Sequence, residues 1–354
     1  MQVIHMSSSL RSVLIITDAW SPQVNGVVRS IERIGAELSG RGMRVDYLTP
    51  QDFWTVPLPG YGEIALAVAR PDAVGRRIAA LRPDSVHIAT EGPLGLLARI
   101  YCVRHKLAFS TAYHTQFPEY LQARLPGALG PAYRYMRWFH AAAAWCMVGT
   151  PSQQRQLQRR GFTNTVVWPK GVDTALFNPA HRTVPAQPRP VFLYAGRVAV
   201  EKNVEAFLKL ALPGSKLVIG SGPSLERLRR DYPDVVFLGQ LQGVALARHF
   251  ASADVFVFPS RTDTFGLVVV EALASGTPVA AFPVTGPLDI IGAAPVGVLD
   301  EDLRRAALAA LALSRDACRR HALQFSWAAS ADQFLRHLPP LEPARALPVA
   351  AERI

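Results

Sequence analysis

Short apolar runs of strand length alternate with amphipathic stretches of helix length along almost the whole chain, which restricts the fold to parallel sheets with helical crossovers. The first run, Val13-Leu14-Ile15-Ile16, ends in Thr17-Asp18, and a Pro/Asn/Gly loop leads into a helix predicted over 28–38. Further strands are predicted at 44–48, 85–88, 108–113 and 144–149, with helices around 73–81, 94–105 and 134–143. Residues 178–190 then break the period with Pro179, Pro185, Pro188 and Pro190. A second series follows, with strands at 191–195, 216–219, 235–238, 255–259 and 278–281 and helices around 204–210, 225–231, 243–251 and 266–275. The expectation is an α/β chain of two doubly wound domains, 1–177 and 191–320, joined by a linker at 178–190. A helix over 321–338 is expected to pack back on the first domain, and the Pro/Ala-rich stretch 339–354 to fray.

Composition fits this reading. With 49% hydrophobic and 18% charged residues in 354, the chain can bury two cores and is not disordered. No apolar run reaches the roughly 18–20 residues of a membrane-spanning helix. Residues 1–11 read as a polar leader, and the apolar core at 13–16 is too short for a signal sequence, so a cytoplasmic location is expected. Cys102, Cys146 and Cys318 lie far apart in apolar or helical contexts and read as buried free thiols. The net charge is +11, unevenly spread: 19 basic and 11 acidic residues over 1–177 against 19 and 16 over 178–354. The basic first half suggests an anionic partner such as a phospholipid surface, a phosphorylated substrate or a nucleic acid, although only five of the 38 basic residues are Lys and general arginine richness would look the same.

Three turns could bind phosphate, because doubly wound sheets place ligands beyond the C-terminal ends of their strands. Asn25-Gly26-Val27 opens the first helix, where Gly26 either admits an anion or supplies a positive φ. Gly196-Arg197 and Glu201-Lys202-Asn203 put two cations near one strand end; an ordinary solvated turn would read alike. Pro259-Ser260-Arg261-Thr262-Asp263-Thr264-Phe265-Gly266 offers hydroxyls, a carboxylate and free N–H groups at a helix start, with Asp263 as a plain helix cap the alternative. Glu271 sits among Val268, Val269, Val270 and Ala272, so it needs a partner, either a ligand hydroxyl or a buried cation such as Lys202. Gly220-Ser221-Gly222-Pro223 lacks the third Gly of a dinucleotide fingerprint, and no metal-binding or P-loop motif is found; Asp300-Glu301-Asp302 reads as a helix start.

These residues resemble retaining glycosyltransferases of family 4, which have the GT-B architecture of two Rossmann-like domains facing across an interdomain cleft. The likeness extends over nearly the whole chain and is carried by Gly196-Arg197, Glu201-Lys202-Asn203, the stretch from Pro259 through Asp263 to Glu271-Ala272, and Ser275-Gly276-Thr277-Pro278-Val279. It implies that Arg197 and Lys202 bind the diphosphate of a nucleotide-sugar donor, that Gly26, Gly196, Gly222, Thr264, Phe265, Gly266 and Leu267 line the donor site, and that Glu271 holds the ribose. His114 and Asp263 would meet the donor sugar, with His114, Arg197, Lys202 and Asp263 the catalytic set and no cofactor or metal required. In one departure, Asp263 stands first in the family's Glu-x7-Glu pair, one methylene shorter than Glu.

Asn25-Gly26-Val27, the stretch from Tyr113 to Tyr120, and Gly171-Val172-Asp173 with Phe177 and Pro179 are similar to enzymes that glycosylate diacylglycerol and to GDP-mannose-dependent α-mannosyltransferases. The lipid enzymes are the favoured likeness, implying transfer of a hexose or hexuronic acid from a UDP-sugar to diacylglycerol. Arg124, Arg134, Arg137 and Trp138 would then meet the acceptor at an anionic membrane on the inner face of the cytoplasmic membrane; packing of the local aromatics inward is the alternative. No nucleic-acid module accompanies these cations. A catalytically silent nucleotide-sugar or membrane-binding protein is the non-enzyme alternative.

Overall fold

The computed structural model describes residues 10–23, 25–58, 61–122 and 125–341. The first half begins with β1 (Ser12–Ile16), α1 (Gly26–Gly40) and β2 (Arg44–Leu48), followed by a hairpin of β3 (Trp54–Leu58) and β4 (Tyr61–Val68). It continues through α2 (Pro71–Leu81), β5 (Ser85–Ile88), α3 (Pro93–Arg104), β6 (Ser110–Tyr113), α4 (Phe117–Gln122), α5 (Leu129–Ala141), β7 (Trp145–Val148), α6 (Pro151–Arg159) and β8 (Thr165–Val167). The second half contains β9 (Val191–Ala195), α7 (Val204–Leu208), β10 (Ser215–Ile219), α8 (Leu225–Asp231), β11 (Val236–Gly239), α9 (Gly243–Ser252) and β12 (Val255–Phe258). It closes with α10 (Leu267–Ala274), β13 (Val279–Ala281), α11 (Pro287–Ile291), β14 (Gly297–Leu299), α12 (Leu303–Ala310), α13 (Arg315–Ala322) and α14 (Trp327–Arg336).

Two six-stranded sheets result, in the orders β2-β1-β5-β6-β7-β8 and β11-β10-β9-β12-β13-β14. All pairings within them are parallel. Both are covered on two faces, which is why β1, β9 and β12 are buried along their whole length rather than alternating. Burying side chains such as Leu14 and Phe256 this fully stabilises by roughly 1.5–3 kcal/mol each. The last described helix packs on the first sheet: Trp327, Ala331 and Phe334 of α14 share an apolar cluster with Val13 and Ile15 of β1 and Ile31 and Ile34 of α1.

Several elements lie outside the periodicity read from sequence. β8 and β14 have three residues each, and the β3–β4 hairpin carries Pro57, which interrupts alternation. Helix α1 begins two residues earlier than predicted because the Asn25 side chain accepts from the N–H groups of Val27 and Val28. Asp302 caps α12 in the same way, as the acidic triplet suggested. All three cysteines are buried and free. Among the described residues no helix is long and apolar enough to cross a membrane, and no group of three His, Cys, Asp or Glu could hold a metal ion.

Candidate active site

In the second sheet β9 and β12 are neighbours, while the chain leaves them toward opposite edges. Such a reversal of strand order opens a crevice at the strands' C-terminal ends, and two of the three candidate turns lie there. Lys202 Nζ donates to Asp263 Oδ2 at 2.8 Å, and the Thr262 hydroxyl donates to Glu201 O at 3.2 Å. Asn203, in the left-handed region at φ 51°, donates from Nδ2 to Pro259 O at 3.0 Å. These bonds hold the two turns as one unit. Burial opposes the Lys202 charge, but Asp263 and the phenol of Tyr120 outweigh it and raise the ammonium's pKa. Arg197 Nε lies 3.8 Å from Glu201 Oε1, and its side chain is about three-quarters buried.

Two glycines shape this floor. Gly222 has φ +152°, and a Cβ there would lie 2.4 Å from Val198 O, so only glycine lets the loop after β10 approach the Arg197 turn. Gly266 caps α10 at φ +89°, turning the chain sharply from Phe265 into the helix. The start of α10 thus faces the crevice with N–H groups that have no partner within the helix.

The sequence leaves Asp263 as a helix cap or a site residue, and the structure shows that it is not the cap of α10. The cap of α10 is Gly266, while Asp263 Oδ1 accepts from Phe265 N–H at 3.3 Å and Oδ2 is held by Lys202. Phe265 itself is a core residue, 5% exposed, so its ring is not in the site, and its N–H is already engaged.

The first half closes over these turns. Thr264 Oγ1 donates to His114 O at 2.7 Å, and Gln116 Nε2 donates to Asp263 O at 2.8 Å and Thr285 Oγ1 at 3.0 Å. His114 stands just past β6; its Nε2 is buried without a hydrogen-bond partner, and burial, with Lys170 and neighbouring histidines, holds the ring neutral. Glu271 finds its cation in Arg29 of α1 at 3.2 Å, not in Lys202 as the sequence allowed. Burial raises the Glu271 pKa, Arg29 partly restrains it, and Oε2 remains without a hydrogen-bond partner. Gly26 is not a left-handed turn residue: it is the first residue of α1, and a Cβ there would meet Leu267 Cδ1 at an ordinary 3.5 Å.

Sequence reasoning missed Arg29, Gln116 and the contact of Tyr120 with Lys202. Gln116 and Tyr120 lie within the Tyr113–Tyr120 stretch already singled out, and Arg29 lies one turn past Asn25-Gly26, but nothing local shows that they reach residues some 80 to 240 positions away. A cavity of about 340 Å³ adjoins Gln116 and Thr285 and is lined also by Ser152, Arg155, Arg159 and Arg261.

The arginine-aromatic stretch divides by helix face. On α5, Tyr133, Met136 and Phe139 turn inward, whereas Arg134, Arg137 and Trp138 are exposed. Trp138 carries the Arg99 guanidinium 3.7 Å above its ring centroid. Exposed Phe117 and Leu125 lie nearby in sequence. Arg124 lies outside the described residues.

This arrangement suits a nucleoside diphosphate bearing a further group: cations and a helix start meet phosphates, and a buried carboxylate can accept from hydroxyls. Residues 24–176 match the family model "Glycosyltransferase Family 4", and residues 189–316 match "Glycosyl transferases group 1". The GDP-mannose-dependent alpha-mannosyltransferase of Mycolicibacterium smegmatis is 30% identical over 96% of this chain and 100% of its own length. The sulfoquinovosyl transferase of Arabidopsis thaliana is 32% identical over 66% of this chain, which spans about half (49%) of that protein. The alpha-monoglucosyldiacylglycerol synthase of Streptococcus pneumoniae is 25% identical over 75% of this chain and 70% of its own. Among solved structures, a sucrose-phosphate synthase from Thermosynechococcus elongatus superposes with a TM-score of 0.73 at 23% identity, covering 92% of this chain and 97% of that one.

Proposed function

Because this chain belongs to glycosyltransferase family 4 and has the GT-B fold, we propose that it transfers a hexose or hexuronic acid from a UDP-sugar to diacylglycerol at a membrane surface. The observation that carries the reading is the Lys202–Asp263 unit, set between the two halves beside Arg197 and the α10 start. In this reading the second half holds the donor and the first half the acceptor.

Breaking the anomeric C–O bond leaves charge on the departing diphosphate, which preorganised donors stabilise best. Arg197, Lys202 and the Gly266 turn supply them. Glu271 accepts from the ribose hydroxyls, displacing Arg29, and neutral His114 hydrogen-bonds the sugar. The acceptor hydroxyl enters on the face the diphosphate vacates, forming the new anomeric C–O bond with retention, and its proton passes to a phosphate oxygen. No metal ion is needed in this scheme. The exposed Arg134, Arg137 and Trp138 support docking at an anionic headgroup layer, and the pneumococcal relative named for diacylglycerol glucosylation supports that acceptor.

The full-length mannosyltransferase relative favours a second reading, mannose transfer from GDP-mannose to another lipid or glycan. One assay separates the two: release of UDP or GDP is followed with UDP-glucose, UDP-glucuronate or GDP-mannose, with and without diacylglycerol in phosphatidylglycerol vesicles. UDP release that requires diacylglycerol supports the first reading, and GDP release indifferent to it supports the second.

A further inference from the structure

Lys170 stands just before Gly171-Val172-Asp173, a stretch whose likeness assigned no role to the lysine. Its side chain is 5% exposed, and Nζ has no hydrogen-bond partner. Nζ lies 2.8 Å from the centroid of the Trp168 ring. Around it lie two more buried nitrogens without hydrogen-bond partners, Nε2 of His114 and Nε2 of His87. Burial, then the proximity of Lys170, depresses both imidazoles, His87 to about 3. Among the described residues no carboxylate contributes to the electrostatics of these three groups, and Glu91 is engaged with His140 at 3.2 Å.

The framework is fixed. Trp168 Nε1 donates to Ser330 O at 3.1 Å and to Ser330 Oγ at 3.0 Å, while Ser330 Oγ donates to Pro169 O at 2.7 Å. A Cβ at Gly171 would lie 2.3 Å from Trp327 N, so the loop sits flush against α14. Lys170 is thus walled in on its α14 side. An ammonium with three donors and no acceptor is costly in such a place, and His114, partly exposed, connects the cluster to the cleft.

We propose that Lys170, with His114 and His87, forms a subsite of buried nitrogen donors for an anionic group of the bound substrates, either a carboxylate or sulfonate on the donor sugar or a phosphate in the acceptor layer. The inference rests on the donor-site reading above and names the chemical class that site selects. Burial holds the free Lys170 well below its ordinary pKa, so an arriving anion restores the charge and binding takes up a proton.

The test is calorimetry of the wild type, Lys170→Met and Lys170→Gln with UDP, UDP-glucose, UDP-glucuronate and GDP-mannose, each in two buffers of different ionisation enthalpy, with vesicle flotation on phosphatidylglycerol against phosphatidylcholine. Loss of ten-fold or more in UDP-glucuronate affinity, with UDP and UDP-glucose within two-fold and proton uptake confined to the wild type, assigns the donor sugar as the source. A loss confined to phosphatidylglycerol vesicles assigns the phosphate. Without ligand the Met variant melts no lower than the wild type, because an unpaired buried amine is removed. Equal weakening of every nucleotide, or no change in any arm, overturns the subsite while leaving the donor reading intact. Failure of the wild type to bind any nucleotide defeats the donor reading and the subsite with it.

Discussion

Lys202 Nζ and Asp263 Oδ2 lie 2.8 Å apart, a salt bridge joining the turn after β9 to the turn after β12 at the centre of the second sheet. In the proposed mechanism one bond therefore sets both the cation for the donor phosphates and the acid for the sugar. Lys202→Ala is expected to lower turnover by about 10²–10³-fold, the typical loss of one preorganised transition-state donor. It also strands a largely buried carboxylate, costing about 3–5 kcal/mol, so Tm falls by roughly 10 °C while the fold persists. Steady-state kinetics and a melting curve check both.

Asp263→Glu restores the longer acid of the family pattern. Since Lys202 holds the carboxylate from one side, the added methylene shifts the acid that meets the sugar in the proposed mechanism. The expected result is a change of about ten-fold or more in the ratio of kcat/KM between two donors sharing a base, with affinity for free UDP unchanged. Donor competition assays read this directly.

Glu271 carries a pH signature. Its folded pKa is raised, by burial against the partial restraint of Arg29, so it binds a proton more readily folded than unfolded. A raised pKa of this sign costs stability above the ordinary carboxyl range and nothing below it. Glu271→Gln is therefore expected to melt a few degrees higher than the wild type at pH 7, with the gap closing as pH falls through about 4.5, while nucleotide binding weakens. Melting curves from pH 4 to 8 with and without UDP test the pair of effects.

The outward face of α5 makes a separate prediction. The double variant Arg134→Glu/Arg137→Glu is expected to lose about 2 kcal/mol or more of binding to anionic vesicles, near 1 kcal/mol per basic residue removed. The loss shrinks at high salt, and affinity for free nucleotide is unchanged. Flotation at two salt concentrations, with calorimetry beside it, provides the check.

How much of this was legible in sequence follows from which interactions are local. The two sheets were, because their strands are apolar runs buried on both faces, and so were the Arg197, Lys202 and Asp263 turns, because each follows such a run. Arg29 was not: its role depends on α1 lying against α10, a relation no window of residues contains. The Lys170 cluster likewise draws on β5, β6 and the chain past β8, three segments brought together by sheet order alone. Phe265 shows the converse, a motif residue whose side chain serves the core.

The most direct measurement is the product itself. The protein is incubated with diacylglycerol in phosphatidylglycerol vesicles and UDP-glucose or UDP-glucuronate, and the lipids are analysed by mass spectrometry and NMR of the anomeric proton. The account predicts a glycosyl diacylglycerol with retained anomeric configuration, formed about 10²–10³-fold more slowly by Lys202→Ala. An inverted product would contradict the mechanism. Absence of any glycolipid from these donors and from GDP-mannose, with nucleotide still bound, would contradict the proposed transfer to lipid.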